Sequence, residues 1–205
     1  WINYSKSNSY SDAATAVKQN FISRFCQENR PKLIGDIGCN TGHYSKVALE
    51  SGAKQSFGID SDPVVIDQAF YSANRSAIPF LAIIGDMSNP SPNSGWNGVE
   101  RESLSKRLSS CDALLALAVI HHLAIGNNIP LDSAIAALVK LAPRGIIEFP
   151  DKEDSMVQVM LSNREDIFCD YNQSNFISLL KSNARISQIE QVPNSKRILV
   201  SYERG

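Results

Sequence analysis

The sequence has no basic excess: 20 Lys and Arg stand against 21 Asp and Glu, the formal net charge is −1, and no three basic residues run together. A protein that coats nucleic acid by charge alone is thereby excluded. Long apolar runs are missing too. The longest, ALLALAVI at residues 113–120, falls far short of the about 20 residues that span a bilayer, so no membrane partner is expected. Cysteine is scarce and scattered: Cys26, Cys39, Cys111 and Cys169 form no CxxC pair and no metal-ligand spacing. That pattern favours reduced, buried thiols over a disulfide framework. No signal-like apolar stretch opens the chain, and its first residue is Trp1 rather than Met. The expectation is a cytoplasmic protein and one domain over residues 1–205, excised from a longer chain whose other domains are possible partners. What is present is ordinary for a globular protein, with 43% apolar and 20% charged residues, which rules out a disordered chain.

Two periodicities alternate along the chain. An amphipathic helix is predicted over Asp12–Asn29, with Ser11 or Asp12 as its cap and Val17, Phe21 and Phe25 at four-residue spacing. KLIGDIG at 32–38 reads as a buried strand, TGHYSKVALES as a helix closed by Gly52, and SFGID as a second strand ending at Asp60. Asp62 followed by Pro63 marks a strong helix start. PFLAIIGD and DALLALAVI give the third and fourth strands, a helix is expected over 132–142, and GIIEF is the fifth strand. Helical patterns near 155–163 and 173–181 precede ARISQIEQV and KRILVSYER, which Pro193, Asn194 and Ser195 separate as an antiparallel hairpin. This rhythm predicts a doubly wound α/β domain, mostly parallel, whose seven-stranded sheet ends in the hairpin. Two stretches fit no element, 88–98 (SNPSPNSGWNG, with an exposed-looking Trp96) and 124–131 (AIGNNIPL). Both follow the carboxyl ends of strands, where open α/β sheets bind ligands. Glu100 to Arg107 reads as a solvated helical face with paired charges.

The sharpest motif is LIGDIGCNTGHYS at 33–45. A strand delivers Asp36, and Gly38 and Gly42 then bracket a turn that opens a helix. It is not the GxGxxG of a dinucleotide site, because Asn40 stands at the middle glycine and an acid precedes the first. An acidic side chain facing that loop repels a pyrophosphate and suits a cation. The second strand ends in Asp60, 22 residues after Gly38, a spacing that sets a carboxylate beside ribose hydroxyls. The third ends in Asp86, suited to accept from an adenine amino group. One acid at each of three successive strand ends outlines a site for an adenosine that carries a cation.

This pattern resembles the class I S-adenosylmethionine-dependent methyltransferases, a Rossmann-like fold, over nearly the whole chain. The resemblance implies S-adenosyl-L-methionine (SAM) as cofactor, with Asp36, Gly38 and Gly42 around its methionine moiety and Asp60 on its ribose. Asp86 and Met87 take the adenine-contacting position, and the segment LALAVIHHL, including Ala118, lines the space between cofactor and acceptor. Asn40 departs from the commoner glycine, yet Asn tolerates positive φ better than most residues. More loosely, the segments ALAVIHHL, NNIPL and IIEFP look like bacterial methyltransferase domains linked to nodulation and sugar modification.

Methyl transfer needs an aligned nucleophile and, for a hydroxyl, removal of its proton. The Asn/Asp-Pro-Pro-aromatic turn of enzymes that methylate amino groups of adenine, cytosine or glutamine is missing after the fourth strand, and no Pro-Cys occurs for cytosine C5 chemistry. The functional reading makes His121 or His122 the general base, with Glu148 orienting it or binding the acceptor. The plainer reading has one histidine capping the next turn and the other packed beneath the loop. His43, after the glycine loop, reads as a pocket or surface residue. The resulting expectation is a SAM-dependent methyltransferase acting on an oxygen of a small molecule or carbohydrate, with no metal. The rivals are an RNA methyltransferase, disfavoured by the charge balance, and an inactive SAM-binding module of a multidomain protein. An NAD-linked oxidoreductase is more distant, since the glycine spacing is wrong.

Overall fold

The computed structural model describes residues 12–162 and 164–205, so Ser11 as a cap and Asn163 as a helix end lie outside the described residues. The elements run α1 (Asp12–Asn29), β1 (Leu33–Ile37), α2 (His43–Glu50), β2 (Gln55–Asp60), α3 (Pro63–Ser76), β3 (Phe80–Ile84) and α4 (Leu104–Leu108). They continue with β4 (Ala113–Ala116), α5 (Leu131–Leu141), β5 (Arg144–Pro150), α6 (Ser155–Leu161), α7 (Gln173–Asn183), β6 (Arg185–Gln191) and β7 (Arg197–Glu203). The strands form one sheet in the order β3-β2-β1-β4-β5-β7-β6. β1 to β5 are parallel, and β7 lies antiparallel between β5 and β6. The strand order reverses between β1 and β4, which puts a crevice outside the carboxyl ends of those strands.

Side-chain alternation explains why the strands read as continuous apolar runs. Ala113 and Leu115 of β4 face one core, with Ile34, Ile146, Leu199 and the α1 residues Phe21 and Ile22. Leu114 and Ala116 face the other, with Ile147, Val200 and the α5 and α7 residues Leu138 and Phe176. Burying each such aliphatic side chain contributes about 1.5–3 kcal/mol, which makes the two-sided sheet the main stabilising layer. At the start of α3, Asp62 accepts from Val64 N at 2.8 Å with Pro63 at the first helical position, as the sequence predicted.

Three expectations needed correction. The fourth strand stops at Ala116 because Ala118 adopts φ 53, a left-handed conformation no strand residue holds. The stretch read as structureless from Ala124 instead begins inside a π-helical turn, His122–Gly126, closed by Asn127 Nδ2 donating to His122 O at 2.8 Å. The charged segment from Glu100 is helical only over Leu104–Leu108, where Glu102 and Lys106 pair at 2.6 Å on the exposed surface. The 88–98 stretch holds a single 3-10 turn at Trp96–Gly98 and a bridge from Ser94 to Arg101, and it leaves Trp96 84% exposed.

Candidate active site at the carboxyl ends of the strands

The glycine loop uses its own amides. Gly38 N and Cys39 N both donate to Ile59 O, at 2.8 and 3.1 Å, and Gly42 N donates to Cys39 O at 2.9 Å. Asn40 N donates to Asp60 Oδ2 at 3.0 Å, and Thr41 N donates to Asn40 Oδ1 at 2.8 Å. Five successive N–H groups are therefore spent inside the chain, so the loop is not the nest of free amides that cradles a phosphate. Gly38 and Gly42 have φ of 71 and 79, and Asn40 carries 49, as the substitution of Asn for Gly anticipated. A Cβ at Gly38 would stand 2.6 Å from Val119 Cγ2, so the loop fits only glycine against the segment that leaves β4.

Asp36 is buried beneath this loop. Its carboxylate accepts from Ser45 Oγ at 2.7 Å and from the Ser45 backbone amide of α2, yet burial, with the nearby Asp60 charge, pushes it up to about 7. A cation arriving at the loop returns that acid to its ionised form. Asp60 closes the end of β2, its two oxygens accepting from Asn40 N at 3.0 Å and Asp62 N at 3.1 Å. Each carboxylate oxygen can accept a second bond, which suits a vicinal diol. Asp86 is exposed, with Ser88 N and Ser88 Oγ donating to its Oδ1 at 2.8 and 2.7 Å. Met87 beside it is half-buried against the larger core.

The two histidines differ. His121 is 0% exposed, and neither ring nitrogen has a hydrogen-bond partner among the described residues. Burial holds it well below 6.5, so the ring is neutral. His122 is half-buried, its ring 4.1 Å from that of His121 at a 39° tilt. Burial lowers it as well, but the Asp60 charge pulls the other way, so His122 is the histidine on the Asp60 side.

Glu148 is 0% exposed. It was expected to orient a histidine or meet the acceptor, but its carboxylate goes instead to Lys18, at 2.7 and 2.8 Å, and to Arg197 at 3.3 Å. Arg197 forks onto Asp154 at 2.6 and 2.8 Å, and Asp154 also caps α6 through Met156 N at 3.0 Å. Four buried charges of balanced sign thus pin α1, β5, α6 and β7 together. Lys18, Asp154 and Arg197 were missed from the sequence. One signal was available: Lys18 falls on the buried stripe of α1 formed by Ala14, Phe21, Ile22 and Phe25, where a lysine needs an internal anion. His43 is exposed and 2.9 Å from Gln19 Nε2, a surface position.

No family model matches the chain. It is 44% identical over all 205 residues to nodulation protein NoeA of Rhizobium meliloti (strain 1021), and it spans 43% of that protein's length. Among solved structures, it is similar to magnesium protoporphyrin IX methyltransferase from Synechocystis PCC 6803 with bound SAH. That likeness has a TM-score of 0.66 and 14% identity, over 94% of this chain and 84% of that one. It is similar also to the N-methyltransferase NodS from Bradyrhizobium japonicum WM9, in complex with S-adenosyl-L-homocysteine. There the TM-score is 0.64 and the identity 14%, over 93% of this chain and 87% of that one. The chain has the class I methyltransferase fold.

In this methyltransferase fold, part of the set singled out in the sequence gathers around the glycine loop. Asp36, Gly38, Asn40, Gly42 and Asp60 are linked by direct hydrogen bonds or chain continuity around the ends of β1 and β2. Val119, which follows Ala118 beyond β4, reaches the same loop at Gly38. Glu148 belongs to the buried tetrad. Beside the His122–Gly126 turn lies a cavity of about 180 Å³ whose walls include Ala124, Asn128, Ile129, Phe168 and Tyr171. Arg164 ties its two sides, donating to Ile125 O and Asn128 Oδ1.

Proposed function

We propose that the chain is a SAM-dependent methyltransferase that transfers a methyl group to an oxygen of a small molecule or carbohydrate. The observation that carries this reading is the set of acids at or just past the ends of three adjacent strands, beside a glycine loop whose amides from Gly38 to Gly42 all donate within the chain. When bound, SAM supplies an electrophilic methyl on a sulfonium. Asp36 answers the positive charge of the methionine moiety, Asp60 takes the ribose hydroxyls, and Asp86 with Met87 borders the adenine. Gly38 and Ala118 allow the backbone to approach closely there.

His122 takes the acceptor's hydroxyl proton as the oxygen attacks. A histidine held below 6.5 stays in the basic form at neutral pH, which suits that task. His121 backs its ring from the interior. The cavity beside Ala124 and Phe168 supports an acceptor held between the 124–131 stretch and the segment at 164–171. The near-neutral charge supports a small acceptor over RNA.

A second reading, a SAM-binding module without activity, is favoured by the enclosure of Glu148 and His121. Incubation with methyl-labelled SAM and a size-fractionated lysate, with and without ribonuclease, separates these readings. Label in the small-molecule or glycan fraction supports the proposal, and ribonuclease-sensitive label in the large fraction replaces it with RNA. Bound SAM with no label transferred favours the module.

A further inference from the structure

We propose, on the reading of His122 as the base of a methyl transfer, that Arg164 is a positioning residue for it. The guanidinium fork of Arg164 holds the turn that carries His122 and forms one wall of the acceptor cavity. That turn, His122–Gly126, is π-helical, a rare geometry that recurs mostly at functional sites. The last carbonyls of a helical turn have no partner within it. Two side chains supply partners here. Asn127 Nδ2 donates to His122 O at 2.8 Å. Arg164, 39 positions beyond Ile125, donates to Ile125 O from one arm of its fork and to Asn128 Oδ1 from the other. Asn127 lies between the two residues that the fork grips, so the fork also fixes the side chain that closes on His122 O.

The fork reaches the turn from a fixed base. Arg164 N donates to Leu161 O at 3.1 Å where α6 ends, and Asp154, which caps α6, is tied to Arg197. The guanidinium carbon stands 5.0 Å from the centre of the buried Phe168 ring. Tyr171 fastens the same wall to β5, its hydroxyl donating to Pro150 O at 2.9 Å. The cavity of about 180 Å³ lies between these walls, with Ala124, Asn128 and Ile129 on the side of the turn and Phe168 and Tyr171 opposite.

Both oxygens that Arg164 holds are neutral, and it pairs with no carboxylate among the described residues. Its charge is therefore spent on placing the turn. Hydrogen bonds from a charged donor are about twice as strong as neutral ones, and a planar fork sets two at a fixed angle, which a lysine cannot do. Asn128 meets the fork from a left-handed conformation, φ 56.

The test is NMR titration of the three histidine rings, with amide exchange, in wild type, Arg164→Ala and Arg164→Lys. Asp60, Arg197 and His121 face the His122 ring and are the same in all three proteins. With the fork gone, the ring should lose part of its burial and titrate closer to 6.5 than in the wild type. The Ile129 amide, which donates to Leu123 O at 3.1 Å, should exchange about tenfold faster or more while amides of β4 and β5 keep their rates. SAM affinity by calorimetry should be unchanged, and the thermal midpoint reports that each variant folds. Arg164→Lys can hold one oxygen but not both, and should fall between the other two. Labelled transfer to the small-molecule fraction of a lysate, at saturating SAM, should slow about tenfold to a hundredfold in Arg164→Ala. An Arg164→Ala protein whose His122 titration and Ile129 exchange match the wild type overturns the proposal. So does an Arg164→Lys protein equal to the wild type in both, or an Arg164→Ala protein that loses SAM affinity as much as it loses rate. A wild type that binds SAM but transfers no label overturns the methyltransferase reading, and the histidine titration still decides whether Arg164 places the ring.

Discussion

Asp60 and Glu148 sit toward the carboxyl ends of strands in the same sheet, yet their surroundings are opposed. Glu148 is sealed between Lys18 and Arg197 inside the protein. Asp60 takes backbone N–H groups from Asn40 and Asp62 at the mouth of the crevice, and pairs with no cation among the described residues. An acid already matched by internal cations holds elements together, whereas one held in place by amides keeps acceptor capacity for something that arrives. The buried tetrad is the anchor of α1 against β5 and β7, and the strand-end acids are the proposed site.

The largest expected effect tests the anchor. Glu148→Ala strands Lys18 and Arg197 without their anion and should destabilise the fold by about 3–5 kcal/mol in chemical denaturation. A loss under about 1 kcal/mol would erase the contrast with Asp60, since exposed pairs are worth that little. On the site side, His122→Ala should lower kcat by roughly 10²–10⁴ while leaving SAM affinity intact. The wild-type kcat, read at saturating SAM, should hold level as pH falls to 6.5 and decline below it, because burial lowers the His122 value.

A third test turns on Asp36, held near 7 in the fold against 3.8 for a free carboxyl. The folded state therefore binds its proton more tightly than the unfolded chain does. The stability this contributes is complete below about 4 and is lost as pH rises through 7. SAM binding to the ionised form should tighten about tenfold per pH unit up to 7 and then level off. Thermal midpoints and calorimetric affinities across pH 5 to 8 read both slopes, and Asp36→Asn should flatten both. The smallest effect belongs to His121. Its two unpartnered nitrogens contribute no hydrogen bond, so His121→Phe should shift stability by about 1 kcal/mol or less in either direction.

Much of this was legible in the sequence because each cue was local. Asp62-Pro63 capped α3, the continuous apolar run of β4 announced a strand buried on both faces, and acids 36 and 60 stood at strand ends, while Asp86 lies two residues past the end of β3. Three things were not. The end of β4 was read four residues too far, because an apolar run does not reveal the left-handed turn at Ala118. Glu148 was assigned to chemistry because its partners, 130 and 49 positions away, come together only through the sheet order. The shortness of α4 was hidden as well, since a short helix and a long one look alike in a charged segment.

The strand-end acids are tested most directly as a cofactor site by calorimetric titration of SAM into wild type and Asp60→Asn, with the unfolding midpoint of each measured alongside. The wild type should bind, and the variant should bind roughly tenfold to a hundredfold more weakly, the loss of about 1.5–3 kcal/mol of charge-assisted bonding. The midpoint of Asp60→Asn should fall far less than that of Glu148→Ala. A wild type that fails to bind, or a variant that binds equally well, would contradict the assignment of these acids to SAM.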